Sequence, residues 1–187
     1  MSDVAEQEAA SAEASEGLPA VDWEHALFSA PGIDLSARAM SKADIESWIP
    51  HRGHMSLLDG VVWVAEDKSA IVGVKRCRPD EFWVEGHFPG MPLLPGVLMV
   101  EASAQLMCAQ YNMKWGERRT GIFTRIENCA FRQSVTVGDE LYLLLQELKF
   151  GSRRFRGVVQ GWVQGKIAFD AQMSGIVMLD KMMDQRS

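Results

Sequence analysis

Cysteine is scarce in this sequence, with three cysteines among 187 residues. Cys77, Cys108 and Cys129 are odd in number and show no short metal-ligand spacing, and we expect them to lie in apolar surroundings. A disulfide framework needs paired cysteines, and a zinc site needs closely spaced ligands. The pattern therefore argues against both and predicts reduced thiols in a cytoplasmic protein without a metal site.

An excess of positive charge, a basic leader and a long apolar run are also missing. There are 19 Lys and Arg against 25 Asp and Glu, a net charge of −6, which argues against nucleic acid as a partner. No basic segment followed by an apolar stretch begins the chain, so no secretory signal is predicted. The most apolar segment, 97–109, is interrupted by Glu101, Ser103 and Gln105 and is too short to cross a bilayer. It predicts a core helix and no membrane partner.

Three segments of the chain differ in composition. Residues 1–20 contain mainly Ala, Glu and Ser with almost no large apolar side chain, which predicts a disordered acidic tail. Residues 21–40 include Trp23, Leu27 and Phe28, which predicts an extension that packs on the domain. Residues 41–180 are predicted to form a single domain without internal repeats.

The order of helix and strand signals in this domain is typical of an α+β fold. Ser41 followed by Asp44 matches a capping box, so a short helix is predicted over 41–48, before Pro50. A long helix is predicted over 95–114. Runs of β-branched and alternating residues predict about six strands, at 60–64, 70–74, 121–135, 140–150, 153–163 and 166–178. Their hairpin connections predict an antiparallel sheet wrapped on one long buried helix.

The stretch 85–101 concentrates the residues that can do chemistry. His87 lies in a Gly/Pro-rich loop, and Pro95 and Gly96 form a helix entrance, where the missing N–H of proline costs nothing. The helix that follows is apolar on nearly every face, so we expect it to be buried. Glu101 on this helix needs a partner or a function, because an unpaired buried carboxylate is costly.

Three separated blocks of the sequence resemble one enzyme family, the FabZ-type 3-hydroxyacyl-[acyl-carrier-protein] dehydratases. The family's active-site segment is matched by His87-Phe88-Pro89-Gly90, Pro95-Gly96-Val97-Leu98 and Glu101-Ala102-Ser103-Ala104-Gln105. An upstream and a downstream block are matched by Pro50-His51-Arg52 with Leu57-Leu58-Asp59, and by Phe131-Arg132-Gln133-Ser134-Val135 with Gly138-Asp139-Glu140-Leu141. Three blocks in this order are far more specific than one motif.

The resemblance implies a hot-dog fold, in which a curved antiparallel sheet wraps around the long central helix. It implies action on an acyl chain carried by the phosphopantetheine of acyl carrier protein, in fatty acid or related biosynthesis, without a metal or organic cofactor. It also implies a homodimer, in some relatives a trimer of dimers, with two active sites at the interface. His87 of one subunit and Glu101 of the other are the implied catalytic pair. A glutamate at this position favours the FabZ type over the isomerising FabA type.

The same resemblance implies roles for neighbouring positions. The Gly96 N–H is the expected donor to the thioester carbonyl. The other positions expected to contact substrate are Phe88, Pro89, Gly90, Val97 and Gln105. The segment 53–56 departs from the family's usual Tyr-Pro-Phe-Leu and so lacks a tyrosine that gates the substrate tunnel in some relatives, while Ser134 and Val137 stand where prolines are usual.

The elimination of water from a 3-hydroxyacyl thioester suits these residues. A base must remove the proton beside the carbonyl, an acid must protonate the leaving hydroxyl, and a donor must stabilise charge on the thioester oxygen. Histidine titrates near neutrality and suits the base. A carboxyl group among apolar side chains keeps its proton more readily, which suits Glu101 as the acid, directly or through a water. An unpaired N–H at a helix N-terminus, that of Gly96, suits the donor.

Other interpretations of the same residues stay open at this point. His87 alone is more often a hydrogen-bonded loop residue, and Glu101 alone is as well suited to a salt bridge with an arginine such as Arg132. His51 and His54 have no third metal ligand near them, so a local turn hydrogen bond is the better interpretation of His51. Gln105, one turn after Glu101, is predicted to hydrogen-bond it or to pack at the dimer interface. A hot-dog acyl thioesterase and a non-catalytic hot-dog subunit paired with an active partner are the alternative functions.

Docking of a strongly acidic carrier protein on an acidic chain requires a local basic patch. The candidate patch consists of Arg132, Lys149, Arg153, Arg154 and Arg156. A solvated surface is the alternative interpretation of such a cluster.

Overall fold

A computed structural model describes residues 20–29 and 32–178 of the chain. Its two α-helices are α1 (Lys42–Trp48) and α2 (Gly96–Trp115), and a short 3₁₀ turn spans Gly53–Met55. The strands are β1 (Met40–Ser41), β2 (Gly60–Val64), β3 (Ala70–Arg76), β4 (Gly121–Phe131), β5 (Glu140–Phe150), β6 (Arg154–Val163) and β7 (Lys166–Val177). Neither described helix is long and apolar enough to cross a membrane. The predicted disordered tail, 1–20, lies almost entirely outside the described residues.

The strands form one antiparallel sheet in the order β1-β2-β3-β5-β6-β7-β4. The sheet has seven strands rather than about six because the two-residue β1 pairs with β2. The predicted turn at Gln164-Gly165 is confirmed, and both residues have positive φ, which the mirror-image turns of tight hairpins require. The strand predicted over 121–135 ends at Phe131, because the chain then turns away towards the entrance of α2, where Leu94 N–H donates to Val135 O.

Helix α2 is buried over most of its length, as its apolar composition predicts. The uncharged polar side chains Gln105, Gln110 and Asn112 are buried too, and they bind loop backbone outside the sheet. The Asn112 side-chain amide donates to Trp48 O at 2.7 Å and to Arg119 O at 2.9 Å. Gln110 donates to Lys68 O at 2.9 Å. Since buried polar groups are costly unless paired, these bonds specify where each loop lies against the helix.

The other face of the sheet is also covered. Val21, which is buried, and Trp23 belong to an apolar cluster with side chains of β2, β3, β5 and β6. The ring of Phe28 lies 5.8 Å from that of Trp63. The segment that precedes β1 therefore shields apolar residues on the face of the sheet opposite to α2.

The predicted environment of the cysteines is right for two of three. Cys77 and Cys108 are buried, and burial raises the pKa of the Cys77 thiol to about 12, so it stays protonated at neutral pH. The expectation was wrong for Cys129, which is exposed on β4 beside a bulge where Asn128 has positive φ. All three are free thiols.

Candidate active site

The start of α2 carries backbone donors without a partner. Pro95 is the cap residue, and its carbonyl accepts from the N–H groups of Leu98 and Met99 at 2.8 and 3.3 Å. The N–H groups of Gly96 and Val97 donate to no acceptor within the described chain. The first N–H groups of a helix carry the positive end of its dipole. They are therefore available to an electron-rich oxygen.

A cavity of about 530 Å³ opens beside these donors. It is lined by the loop before α2, the first turn of α2 and the segment after β4: His87, Leu93, Leu94, Pro95, Gly96, Val97, Met99, Phe131, Arg132, Gln133, Ser134 and Val135. Residues far apart in sequence meet here because β4 leads back to the entrance of α2. The cavity brings His87 and the free N–H of Gly96 to one site.

The His87 ring is oriented by its neighbours. Its Nδ1 lies 2.8 Å from Leu93 O. A carbonyl oxygen only accepts, so Nδ1 carries the hydrogen and a neutral imidazole has its lone pair on Nε2. The Phe88 ring stacks on the imidazole with centroids 4.2 Å apart. The loop thus presents Nε2 as an acceptor, which is what a general base requires.

Glycine is required at two positions of this loop and helix. Gly90 has φ of 75°, in the left-handed region, within a turn closed by reciprocal backbone bonds between Phe88 and Met91. At Gly96, a Cβ atom would lie 2.7 Å from the Phe131 ring. Any larger residue at 96 would displace Phe131, which lines the cavity.

Glu101 does not line the cavity that holds His87. The expectation of a buried carboxylate was wrong, because the Glu101 side chain is 31% exposed. The alternative of a salt bridge with Arg132 was also wrong, since Arg132 binds Asp170 with a closest separation of 2.6 Å. Glu101 lies one turn before Gln105, whose Nε2 donates to Glu101 Oε1 at 2.9 Å. The predicted hydrogen bond between them is confirmed.

His51 was not expected near the site. Its Nε2 lies 3.4 Å from Glu101 Oε1, although 50 residues separate the two positions. The upstream block of the family resemblance contains His51, and this was the one signal in the sequence for a role of His51 at the site rather than in a turn. Gln105 also ties this loop to α2, because its Nε2 donates to Met55 O at 2.8 Å and its Oε1 accepts from Leu57 N–H at 3.1 Å.

Of the remaining predicted contact residues, Val97 lines the cavity, whereas Phe88, Pro89 and Gly90 lie outside its lining, in the loop that carries His87. Phe88 and Val97 are exposed large apolar side chains, and so is Met91 in the same loop. Pro89 is exposed as well. Exposed apolar side chains gathered in one loop are typical of a surface covered by a ligand or another subunit.

The candidate basic patch divides into two parts. Arg132 lies at the cavity with Asp170. Lys149, Arg154 and Arg156 line a separate hollow, and Arg153 lies in an adjoining one. Arg156 is paired with Glu127 at 2.8 Å, whereas Lys149, Arg153 and Arg154 have no ion pair within the described residues. Within one subunit the hollow and the cavity are distinct.

Comparisons with known proteins show which sequences and structures this chain is similar to. Residues 49–173 match the family model of the FabA-like domain. The chain is 36% identical to the 3-hydroxyacyl-[acyl-carrier-protein] dehydratase FabZ of Thermoanaerobacter pseudethanolicus over 141 residues, 74% of this chain and 97% of the relative. It is 38% identical to the enzyme of the same name from Anoxybacillus flavithermus over 130 residues, 69% of this chain and 91% of the relative.

Solved structures show the same fold at low identity. The dehydratase heterocomplex ApeI:P from Xenorhabdus doucetiae matches with a TM-score of 0.63 at 16% identity, over 75% of this chain and 95% of that chain. A putative thioesterase from Silicibacter matches with a TM-score of 0.56 at 14% identity, over 80% of this chain and 97% of that chain. The architecture is that of the α+β hot-dog fold, as expected.

Proposed function

Since the chain belongs to the FabA-like family and is similar to its FabZ members, we propose that it dehydrates 3-hydroxyacyl-[acyl-carrier-protein] to trans-2-enoyl-[acyl-carrier-protein] in fatty acid or related biosynthesis. One structural observation supports the proposal independently of family membership. The lone pair of His87 Nε2 and the free N–H of Gly96 face one cavity, so a base and an oxyanion donor stand together.

The reaction follows from these groups. The Gly96 N–H donates to the thioester carbonyl oxygen, which takes up negative charge as the neighbouring carbon loses its proton to His87 Nε2. The hydroxyl on the next carbon leaves as water when it receives a proton from the Glu101 carboxyl, directly or through a water. A double bond forms between the two carbons, and no electrons are exchanged with a cofactor.

Glu101 of a second subunit supplies the acid in this proposal. Within one chain Glu101 is outside the cavity of His87, so a single subunit has an incomplete site. The edge strand β4 pairs with β7 on one side alone. It exposes Ile122, Ile126 and Phe131. An unpaired edge with exposed apolar residues favours association with another copy, and a two-fold axis then makes two equal sites.

An acidic residue in the middle of β4 should separate the subunits. We expect Ile126→Asp to shift the protein from dimer to monomer and to abolish dehydration, because each site needs two chains. Leu148→Asp on β5 is the matched control, since Ile126 and Leu148 are both 52% exposed. Sedimentation velocity measures the mass. A monomeric but fully active Ile126→Asp protein would contradict the shared site, and a variant that stays dimeric would contradict the pairing through β4. Assembly beyond the dimer, as a trimer of dimers, stays a prediction that the same measurement addresses.

The carrier protein docks, in this proposal, on the adjoining hollow, which is lined by Arg153 together with Lys149 and Arg154. Antiparallel pairing of two β4 strands about Ile126 sets Gly121 of one subunit opposite Phe131 of the other. In the sheet, Arg154 of β6 lies opposite Ile176 of β7, and Ile176 lies opposite Ile122 of β4. The hollow therefore lies near the end of β4 that begins with Gly121. The basic hollow of one subunit then flanks the cavity of its partner, where a phosphopantetheine chain enters.

Charge reversal in this hollow should weaken docking alone. We expect Arg154→Glu to raise KM for the carrier-bound substrate about three- to tenfold, because one attractive charge becomes repulsive. KM for a short pantetheine thioester should stay unchanged, since that substrate makes no carrier contact. Lys166→Glu, at the exposed first residue of β7, is the control of equal charge. Equal KM values for both variants on the carrier-bound substrate would exclude this docking surface.

One assay separates the candidate functions. The protein is offered a 3-hydroxyacyl thioester while enoyl absorbance and free thiol are followed together. Enoyl formation that is lost in Glu101→Gln supports dehydration, and thiol release would instead indicate a thioesterase. Neither signal would point to a non-catalytic subunit. A cytoplasmic location is part of the proposal and is supported by the three free thiols.

A further inference from the structure

We infer that His51 is a positioning residue that holds the Glu101 carboxyl group in the orientation needed to protonate the leaving hydroxyl. The inference rests on the proposed function and adds to it a residue with no assigned part in the reaction. His51 contacts Glu101 and does not line the cavity that holds His87, so it acts through the acid.

The contacts of Glu101 are all on one oxygen. Gln105 Nε2 donates to Oε1 at 2.9 Å, and His51 Nε2 approaches the same Oε1 at 3.4 Å. No donor within the described chain reaches Oε2. Two groups on Oε1 fix the plane of the carboxyl group and leave Oε2 as the oxygen that carries the transferable proton.

The environment of the His51 ring determines which nitrogen carries its hydrogen. Nδ1 is buried and has no hydrogen-bond partner in the described part of the chain. A neutral imidazole has one N–H, and a carboxyl oxygen near Nε2 is the acceptor within reach. The hydrogen therefore belongs on Nε2, directed at Glu101, and Nδ1 remains a bare acceptor. The 3.4 Å separation is long for a hydrogen bond, and such contacts tighten when a site is completed by its substrate.

The loop that carries His51 is held firmly enough to position it. Arg52 Nη1 donates to Ile49 O and its Nη2 to Glu46 O, each at 2.8 Å. Further along the loop, Gln105 binds Met55 O and accepts from Leu57 N–H. Gln105 on α2 thus connects the loop to Glu101 through its own side chain. His51 adds a direct contact between the loop and Glu101. A carboxyl group fixed from two sides loses less freedom when the transition state forms.

Paired substitutions of His51 test the inference by kinetics. His51→Phe fills the same space without a donor, and we expect kcat for dehydration to fall about tenfold with KM nearly unchanged. His51→Gln places an amide N–H near the position of Nε2, and we expect it to restore kcat to within about threefold of the wild type. His54→Phe is the matched control, because His54 is exposed in the same loop and contacts Phe82 rather than Glu101. Equal kcat values for His51→Phe and the wild type would overturn the inference, and so would a loss that Gln does not restore.

A measurement without substrate keeps the inference separate from the proposed function. Side-chain ¹⁵N NMR distinguishes an N–H nitrogen from a bare one. We expect the wild-type His51 to carry its hydrogen on Nε2, and Glu101→Leu to release the ring into exchange between tautomers. A hydrogen on Nδ1, or a ring unaffected by Glu101→Leu, would overturn the inference. If the wild type fails to dehydrate any thioester while the Nε2–H tautomer depends on Glu101, the proposed function is wrong and the contact stands.

Discussion

Replacing His87 by alanine should abolish dehydration while the protein stays folded and dimeric. The imidazole is the one group in the cavity with a free lone pair positioned as a base, and its loss removes proton abstraction from the carbon beside the carbonyl. General base catalysis contributes about 10²–10⁴ in rate, so we expect kcat to fall by at least about 10²-fold. KM should change little, because the Gly96 donor and the apolar lining of the cavity remain.

The assay for His87→Ala is enoyl absorbance with a carrier-bound or pantetheine thioester. His54→Ala is the control, because that histidine is exposed and does not line the cavity. A far-ultraviolet circular dichroism spectrum and a thermal midpoint equal to those of the wild type show that the loss is chemical. Retention of more than about a tenth of wild-type kcat would contradict the assignment of His87 as the base.

Mixing two inactive variants tests the shared site more sharply. His87→Ala and Glu101→Gln subunits, unfolded together and refolded, should form mixed dimers. If each site takes His87 from one chain and Glu101 from the other, a mixed dimer has one intact site and one doubly substituted site. Equal mixing should restore about a quarter of wild-type activity, since about half of the dimers are mixed. No recovery would show that both residues serve the site within one chain.

The largest loss of stability should follow from replacing Glu81 by leucine. Lys75 and Glu81 form a buried ion pair, 2.8 Å apart, with side chains 2% and 7% exposed. Trp83 Nε1 donates to the same carboxylate. Removal of the carboxylate leaves the Lys75 ammonium buried without its partner, and breaking such a pair costs about 3–5 kcal/mol. We therefore expect the free energy of unfolding of Glu81→Leu to fall by this amount.

Urea denaturation measures this effect, and two further variants make it specific. Lys75→Met combined with Glu81→Leu removes both charges and should recover most of the loss, because no unpaired charge remains. Glu140→Gln weakens the exposed pair between Arg76 and Glu140, for which we expect a loss below about 1 kcal/mol. If Glu81→Leu lowers the free energy of unfolding by no more than Glu140→Gln does, the buried pair has no structural role.

Local features of this fold could be read from the sequence because each depends on neighbours along the chain. The Ser41–Asp44 capping box is present as predicted, since Ser41 and the third residue of α1 bond each other. The hairpin turns followed from glycine and polar residues between alternating runs, and the start of α2 from Pro95 and Gly96. The uniform apolar character of α2 correctly indicated burial, because a helix without a polar face has no side suited to water.

Relations between distant segments could not be read in the same way. Arg132 binds Asp170 rather than Glu101 because β4 and β7 are antiparallel neighbours, which sets Ala130 opposite Asp170. His51 meets Glu101 because the loop after α1 is bound by Gln105 of α2. Neither pairing leaves a periodic or compositional signal, since it depends on how separate elements pack.

The sequence by itself determined the family, the elements and the identity of the candidate base and donor, because these depend on short motifs in a definite order. The tertiary structure alone decided that His87 Nδ1 carries the hydrogen and that Nε2 is free, through the position of Leu93 O. It also decided that Glu101 is partly exposed and outside the His87 cavity, although the two residues are close in the chain. The reason is geometric: His87 faces the first turn of α2, and Glu101 is held by His51 and Gln105.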